Sequence, residues 1–194
     1  MLDDMKIVNG YILAGGKSSR MGKDKGLLLI DSKSIVQHVI DQLQPVVAKV
    51  TIVSNNSEYE KFGFEVIGDL VKDIGPAGGI YTALSHSDTS SNFIVSCDMP
   101  FITSDAIAFI ITNSNQHQIT LPVYHDKTEP LFGVYTKECV TKWQELIQQG
   151  SVKLQELITY FSVMKLNVDE NKLFCESIFT NINTQYDFEK VNQM

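Results

Sequence analysis

Cysteine is scarce and scattered in this sequence. Cys97, Cys139 and Cys175 are odd in number, far apart and without a CxxC or CxH pairing, so neither a disulfide framework nor a thiolate metal site is expected, and a reducing cytoplasm fits best. Positive charge is short as well. The 16 Lys and Arg face 23 Asp and Glu, a net charge of −7, which argues against a nucleic-acid surface because such binding draws on cations that neutralise phosphates. Long apolar runs are missing: nothing approaches the roughly 20 residues that span a bilayer. The first apolar run is broken by Gly10 and stops at Ala14, behind two acids and one lysine, so no signal peptide is expected either. Histidine offers little, since His38, His86, His117 and His125 have neither metal-ligand nor triad spacing.

What is present is the composition of one globular domain over residues 1–194, with 43% hydrophobic residues and a sizeable core. Short apolar runs at Ile7 to Leu13, Val50 to Ser54, Phe64 to Ile67, Phe93 to Cys97, Ile119 to Tyr124 and Leu131 to Tyr135 read as buried strands. Between them, Ile35, Val36, Val39, Ile40 and Leu43 repeat at helical spacing, with Ser34 as N-cap and Pro45 as stop. Ala77 to Leu84, Ser104 to Ile111, Lys137 to Ile147 and Val152 to Tyr160 read as further helices, the first weakened by Gly78 and Gly79. Alternation of this kind predicts an α/β fold whose mostly parallel sheet is covered on both faces. Such sheets bind ligands beyond the carboxyl ends of their strands. The polar and glycine-rich segments fall there: Ala14 to Lys25, Asn55 and Asn56, Asp69 to Gly79, and Asp98.

The segment Leu13-Ala14-Gly15-Gly16-Lys17-Ser18-Ser19-Arg20-Met21-Gly22-Lys23-Asp24-Lys25 leaves a strand and becomes glycine-rich and cationic, with four cations against the single acid Asp24. Glycines there allow backbone N–H groups to face a phosphate. It is not a P-loop, because Gly16 to Gly22 encloses one residue too many and Asp24 stands where Ser or Thr would bind the metal. Ser96-Cys97-Asp98-Met99-Pro100 ends another apolar run, so Asp98 should emerge at the ligand edge with Cys97 packed beneath. A magnesium ion takes one or two carboxylates plus phosphate oxygens and waters, and Asp98 supplies that minimum. An Asp that caps the helix near Ser104, or a turn residue before Pro100, is the alternative.

These residues resemble a family. LAGG, then RMG and DK, is similar to the signature of nucleotidyltransferases, in particular the molybdenum cofactor guanylyltransferases, and GPAGG, CDMP and NINT follow in family order from Tyr11 to about Val191. The resemblance implies a three-layer, Rossmann-like fold of the nucleotide-diphospho-sugar transferase type. It implies that Leu13, Ala14, Gly15 and Gly16 line the nucleotide, that Arg20 and Lys25 hold the triphosphate, and that Asp98 binds Mg²⁺. It also implies nucleotide contacts from Asn55, which otherwise reads as a turn residue, and from Asp69, whose carboxylate suits either a guanine edge or a ribose hydroxyl. Gly75 to Gly79, including Gly78, is similar to a loop against which a base lies close, or else a plain helix start. Glu129-Pro130-Leu131-Phe132-Gly133-Val134-Tyr135 resembles a family strand near the acceptor. Lys153 would hold the acceptor's phosphate or remain a solvated helix lysine, while Asn181 and Asn183, alternating onto one strand face, would meet the pterin. Gln185 replaces the family's usual proline.

The implied reaction transfers GMP from GTP to the phosphate of molybdopterin or Mo-molybdopterin in the cytoplasm, with other molybdenum cofactor proteins as partners. Cytidylyl transfer to molybdopterin, transfer to a cobamide or sugar phosphate, and a noncatalytic nucleotide-binding protein are the alternatives. The double glycine of LAGG favours guanylyl by resemblance.

Overall fold

The computed structural model describes residues 7–15 and 24–191. In chain order the strands are β1 (Val8–Leu13), β2 (Leu29–Ile30), β3 (Lys33–Ser34), β4 (Val50–Val53), β5 (Glu65–Ile67), β6 (Ser91–Ser96), β7 (Ile119–Tyr124), β8 (Lys127–Thr128), β9 (Phe132–Thr136) and β10 (Val163–Asn167). The helices are α1 (Ile35–Leu43), α2 (Pro76–His86), α3 (Ser104–Thr112), α4 (Cys139–Gln148), α5 (Leu154–Leu157) and α6 (Gln185–Val191), with short 3-10 turns between them.

The main sheet has the order β10-β7-β9-β6-β1-β4-β5, with β8 hydrogen-bonded to β7. Its pairs are parallel except where β9 runs against β6 and β7, and β8 against β7. Side chains alternate across the sheet with period two. Val8 and Ile12 of β1, with Phe93 and Val95 of β6, therefore join α1 and α3 in one core. Tyr11, Leu13 and Ile94 join α2, α4 and α5 in the other. Burying both faces in this way makes the fold three-layered and Rossmann-like, and each large apolar side chain taken from water contributes about 1.5–3 kcal/mol. Trp143 of α4 is fully buried, and its indole N–H donates to the Ala77 carbonyl at 3.0 Å, anchoring the amino end of α2.

Several expectations need correction. The helix expected over Val152 to Tyr160 is the short α5 followed by a 3-10 turn at Ile158–Tyr160. Ser34 occupies the N-cap of α1 but makes no side-chain capping bond. The segment holding Asn181 and Asn183 is irregular and not a strand, because its backbone bonds go to Asp98 and Asp187 instead of to a ladder. Strand β10 went unread, since Val163–Asn167 carries Lys165 and Asn167 among its apolar residues at the sheet's end and is half-buried. The helix that reads as weakest, α2, is complete. Its two inner glycines allow close packing: a Cβ on Gly78 would lie 2.7 Å from the Val71 carbonyl, and one on Gly79 3.3 Å from Leu13.

The hairpin of β2 and β3 turns through Asp31 and Ser32, both at positive φ. Ile30 and Ile35 at its base pack with Ile182 and Val191, so the C-terminal segment is brought back across the sheet toward Lys25. Among the described residues, no helix is long and apolar enough to cross a membrane.

Candidate active site

The register sets the height of the site. Leu13 pairs with Val53 and Ser96, Val53 pairs with Ile67, and the Ser96 N–H bonds the Leu131 carbonyl. Two residues beyond that line, in the loops at the ends of five different strands, stand Gly15, Asn55, Asp69, Asp98 and Glu129. Of these, Gly15, Asn55 and Asp69, together with Leu13, Ala14, Ser96 and Leu131, border one open cavity of about 560 Å³, a size that holds a small-molecule ligand, while Asp98 and Glu129 stand outside its wall. Gly75 and Pro76 bring the amino end of α2 to the same cavity. That end carries partial positive charge, which favours an anion. Gly75 adopts φ 64° and ψ −150°, a conformation essentially reserved for glycine, and Pro76 follows at the first helical position, where its missing N–H costs nothing.

Lys25 lies in a 3-10 turn, Lys25–Leu27, and its Nζ donates to Asn183 Oδ1 at 2.9 Å across 158 positions of sequence. Next to Asn183, the Ile182 N–H bonds the Asp98 carbonyl at 3.0 Å. The C-terminal segment thus touches both the lysine and the carboxylate residue that the sequence singles out. Asp187 secures it, accepting from the N–H of Asn183 and the N–H and hydroxyl of Thr184, which lowers the Asp187 pKa. Asn181 is half-buried and donates to the Phe179 carbonyl at 3.4 Å.

The Asp98 carboxylate accepts from Ser96 Oγ at 2.6 Å. Burial, and then the charge of Asp98, push the Glu129 carboxyl above the ordinary carboxylate range. The antiparallel register of β6 and β9, carried on by the Ser96–Leu131 bond, brings Glu129 level with Asp98, and carboxylate oxygens there fit a hard divalent cation such as Mg²⁺, which prefers one or two carboxylates alongside phosphate oxygens. Asp69 and Asn55 hold each other: Asn55 Nδ2 donates to Asp69 Oδ2 at 2.8 Å, and the Asp69 N–H donates to Asn55 Oδ1 at 3.0 Å. Partial burial raises the Asp69 pKa, opposed by that hydrogen bond and by Lys72.

Other expected residues stand elsewhere. Gly78 is buried against the loop at 71–74, while Gly79 borders the cavity. Lys153 is 77% exposed and pairs with Glu156 at 3.0 Å, outside the cavity wall. Gly16 and Arg20 lie outside the described residues. Cys97 is buried and its thiol pKa is raised by burial, as suits a packing residue.

Sequence reasoning set Asn56 at the ligand edge and Glu129 at the start of a strand near the acceptor without giving either a role, and it passed over Tyr59. The role of Glu129 emerges only once β9 is known to run antiparallel, and Tyr59 stands in a stretch with no periodicity.

Residues 10–163 match a family described as "MobA-like NTP transferase domain". A Flavobacterium johnsoniae protein named "Probable molybdenum cofactor guanylyltransferase" is 36% identical over 97% of this chain and 98% of its own. A Vibrio parahaemolyticus "Molybdenum cofactor guanylyltransferase" is 34% identical, covering 94% of each. Among solved structures, "Molybdopterin-guanine dinucleotide biosynthesis protein A" from Archaeoglobus fulgidus superposes with a TM-score of 0.82 at 25% identity, covering 96% of this chain and 97% of that one.

Proposed function

The chain belongs to the MobA-like NTP transferase family, among the molybdenum cofactor guanylyltransferases, and from that membership we propose that it transfers GMP from Mg²⁺-bound GTP to the terminal phosphate of molybdopterin or Mo-molybdopterin, releasing pyrophosphate. The observation that carries the reading is the convergence of Lys25, Asp98 and the Ile182-Asn183 segment beside a glycine-lined cavity at the carboxyl edge of the sheet.

The acceptor phosphate is the nucleophile. Its second pKa is about 6, so near neutral pH it is already an anion and needs no general base. One of its oxygens forms a bond to the α-phosphorus of GTP while the bond from that phosphorus to the bridging oxygen of pyrophosphate breaks. The task left to the protein is to align two anions and offset their repulsion. Lys25, with Arg20, would hold the triphosphate and follow the charge that develops on the α-phosphate. Asp98, with Glu129 beside it, would hold Mg²⁺, which when bound neutralises phosphate oxygens and orients the leaving group. Leu13 to Gly16, Asn55, Asp69 and Gly79 would form the nucleoside side of the cleft, with Gly78 packed behind it. Asn183 and Asn181 would meet the acceptor, and Lys153 could do so only if its exposed side chain left Glu156. A cytoplasmic setting goes with this reading, supported by the three free cysteines.

Calorimetric titration with GTP, CTP, UTP and ATP, each with Mg²⁺, tests the proposal. Selective binding of GTP is the expected result. Selectivity for CTP would replace guanylyl by cytidylyl transfer, and no binding of any nucleotide would sink the reading.

A further inference from the structure

Asp24 has no part in the reaction just described, although it adjoins Lys25 and borders the cavity. Its carboxylate is taken up by the protein itself. Oδ1 accepts from the Tyr59 hydroxyl at 2.5 Å and the Gly26 N–H at 3.2 Å, and Oδ2 accepts from Asn56 Nδ2 at 3.1 Å. Bonds of this kind to an ionised acceptor are the strong ones.

We propose that Asp24, Tyr59 and Asn56 form a tether that positions Lys25 for the triphosphate, Asp24 being a positioning residue and not a metal ligand. The proposal rests on the reading of Lys25 as a triphosphate ligand. Asn56 builds the tether twice over. Besides holding Asp24, its Oδ1 accepts from the Glu58 N–H at 3.0 Å and so caps the 3-10 helix Ser57–Phe62 that carries Tyr59. The Asn56 N–H in turn donates to Ser54 Oγ at 3.1 Å, tying the tether to the end of β4.

Sterics point the same way. Tyr59 is fully buried, and a Cβ on Gly26 would overlap its hydroxyl and lie 3.3 Å from Cys97 Sγ. The backbone that carries Lys25 is therefore wedged between the Tyr59 ring and the end of β6. A lysine carries a compact charge on a flexible four-carbon stem, so fixing its root limits the region that the charge can reach. Here the root is fixed by Asp24 and the tip rests on Asn183. Tyr59 itself is not part of the cavity wall, so its hydroxyl acts on a bound nucleotide through Asp24 and the segment that Asp24 holds.

The test is a double-mutant cycle of Tyr59→Phe and Lys25→Ala, with Mg²⁺-GTP affinity read by calorimetry and folding by thermal melting of all four proteins. Tyr59→Phe is expected to weaken GTP binding roughly tenfold on its own, since small misplacements of a binding group are costly. In the Lys25→Ala background the same change is expected to cost less than about twofold. An equal loss in both backgrounds would mean that Tyr59 supports the fold generally, and would overturn the tether alone. Wild-type GTP affinity in Lys25→Ala would overturn the reading of Lys25 and the tether with it. Asp24→Asn, which sets an amide against the Asn56 amide, runs through the same cycle should Tyr59→Phe not fold.

Discussion

The two edges of the sheet handle their carboxylates in opposite ways. At the amino edge Glu65 is paired with the Lys49 ammonium at 2.8 Å and lies 3.3 Å from the His86 imidazole, with Thr51 adding a hydroxyl. Among the described residues at the carboxyl edge, the hydrogen bonds to Asp24, Asp69 and Asp98 come from neutral donors, namely Tyr59, Asn56, Asn55, Ser96 and a backbone N–H. Lys25 there donates to the neutral Asn183 amide, and Lys72 acts on Asp69 through its charge. The acidities follow. Glu65 is held below the ordinary carboxylate range by the Lys49 hydrogen bond, whereas burial holds Asp69 and Glu129 above it. Charge that is matched within the protein serves the fold. Charge held in place by neutral groups remains available to ions and phosphates from outside.

Four substitutions break or sharpen this contrast. Asp98→Asn keeps the shape and removes the charge, and the loss of metal-dependent turnover is expected to be at least about a hundredfold. Turnover at the wild-type rate with Mg²⁺, in a protein of unchanged melting temperature, would remove Asp98 from the metal. Gly75→Ala forces a Cβ into φ 64° and ψ −150°, at a cost of about 1–3 kcal/mol, and lowers the melting temperature together with nucleotide affinity. Retained stability there would show that the entry to α2 relaxes freely.

Asp69→Asn separates function from stability. Because the folded pKa of Asp69 is raised, its ionisation works against the fold, and the stability it contributes when protonated is lost as pH rises through the folded pKa. The variant is expected to melt higher than wild type at pH 7, with the gap narrowing as pH falls through the folded pKa and closed below about 3.9, while GTP binding weakens. A melting temperature below wild type at pH 7 would contradict that sign. Glu65→Gln tests the other edge and is the smallest effect. The stability contributed by a carboxyl of lowered pKa is present above about pH 4.3 and lost as pH falls through its folded value. Removing this exposed pair should cost at most about 1 kcal/mol at pH 7, flatten the acid limb of melting temperature against pH, and leave GTP binding untouched.

Much of this fold was legible because buried strands and amphipathic helices leave periodic traces. The six apolar runs and the Ile35 to Leu43 stripe fall where they were read, within a residue or two at each end. The half-buried β10, with its mixed polar pattern, leaves no such trace. The residues of the site divide in the same manner. Asp98 and Lys25 sit in compact motifs, so their neighbours in sequence announce them. Glu129, Asn56 and Tyr59 acquire their places only from partners far along the chain.

By itself, then, the sequence determined the α/β class, the glycine-rich and acidic loops at one edge of the sheet, and the family, because each rests on local patterns of residue type and spacing. Only the tertiary structure decided that Asp24 is occupied by Tyr59 and Asn56, that Glu129 comes level with Asp98 across the β6–β9 pair, and that Asn183 reaches Lys25. The physical reason is that these contacts depend on strand order, on the reversed direction of β9 and on the return of the C-terminal segment over the hairpin. All three follow from how the two cores close and not from any short stretch of chain.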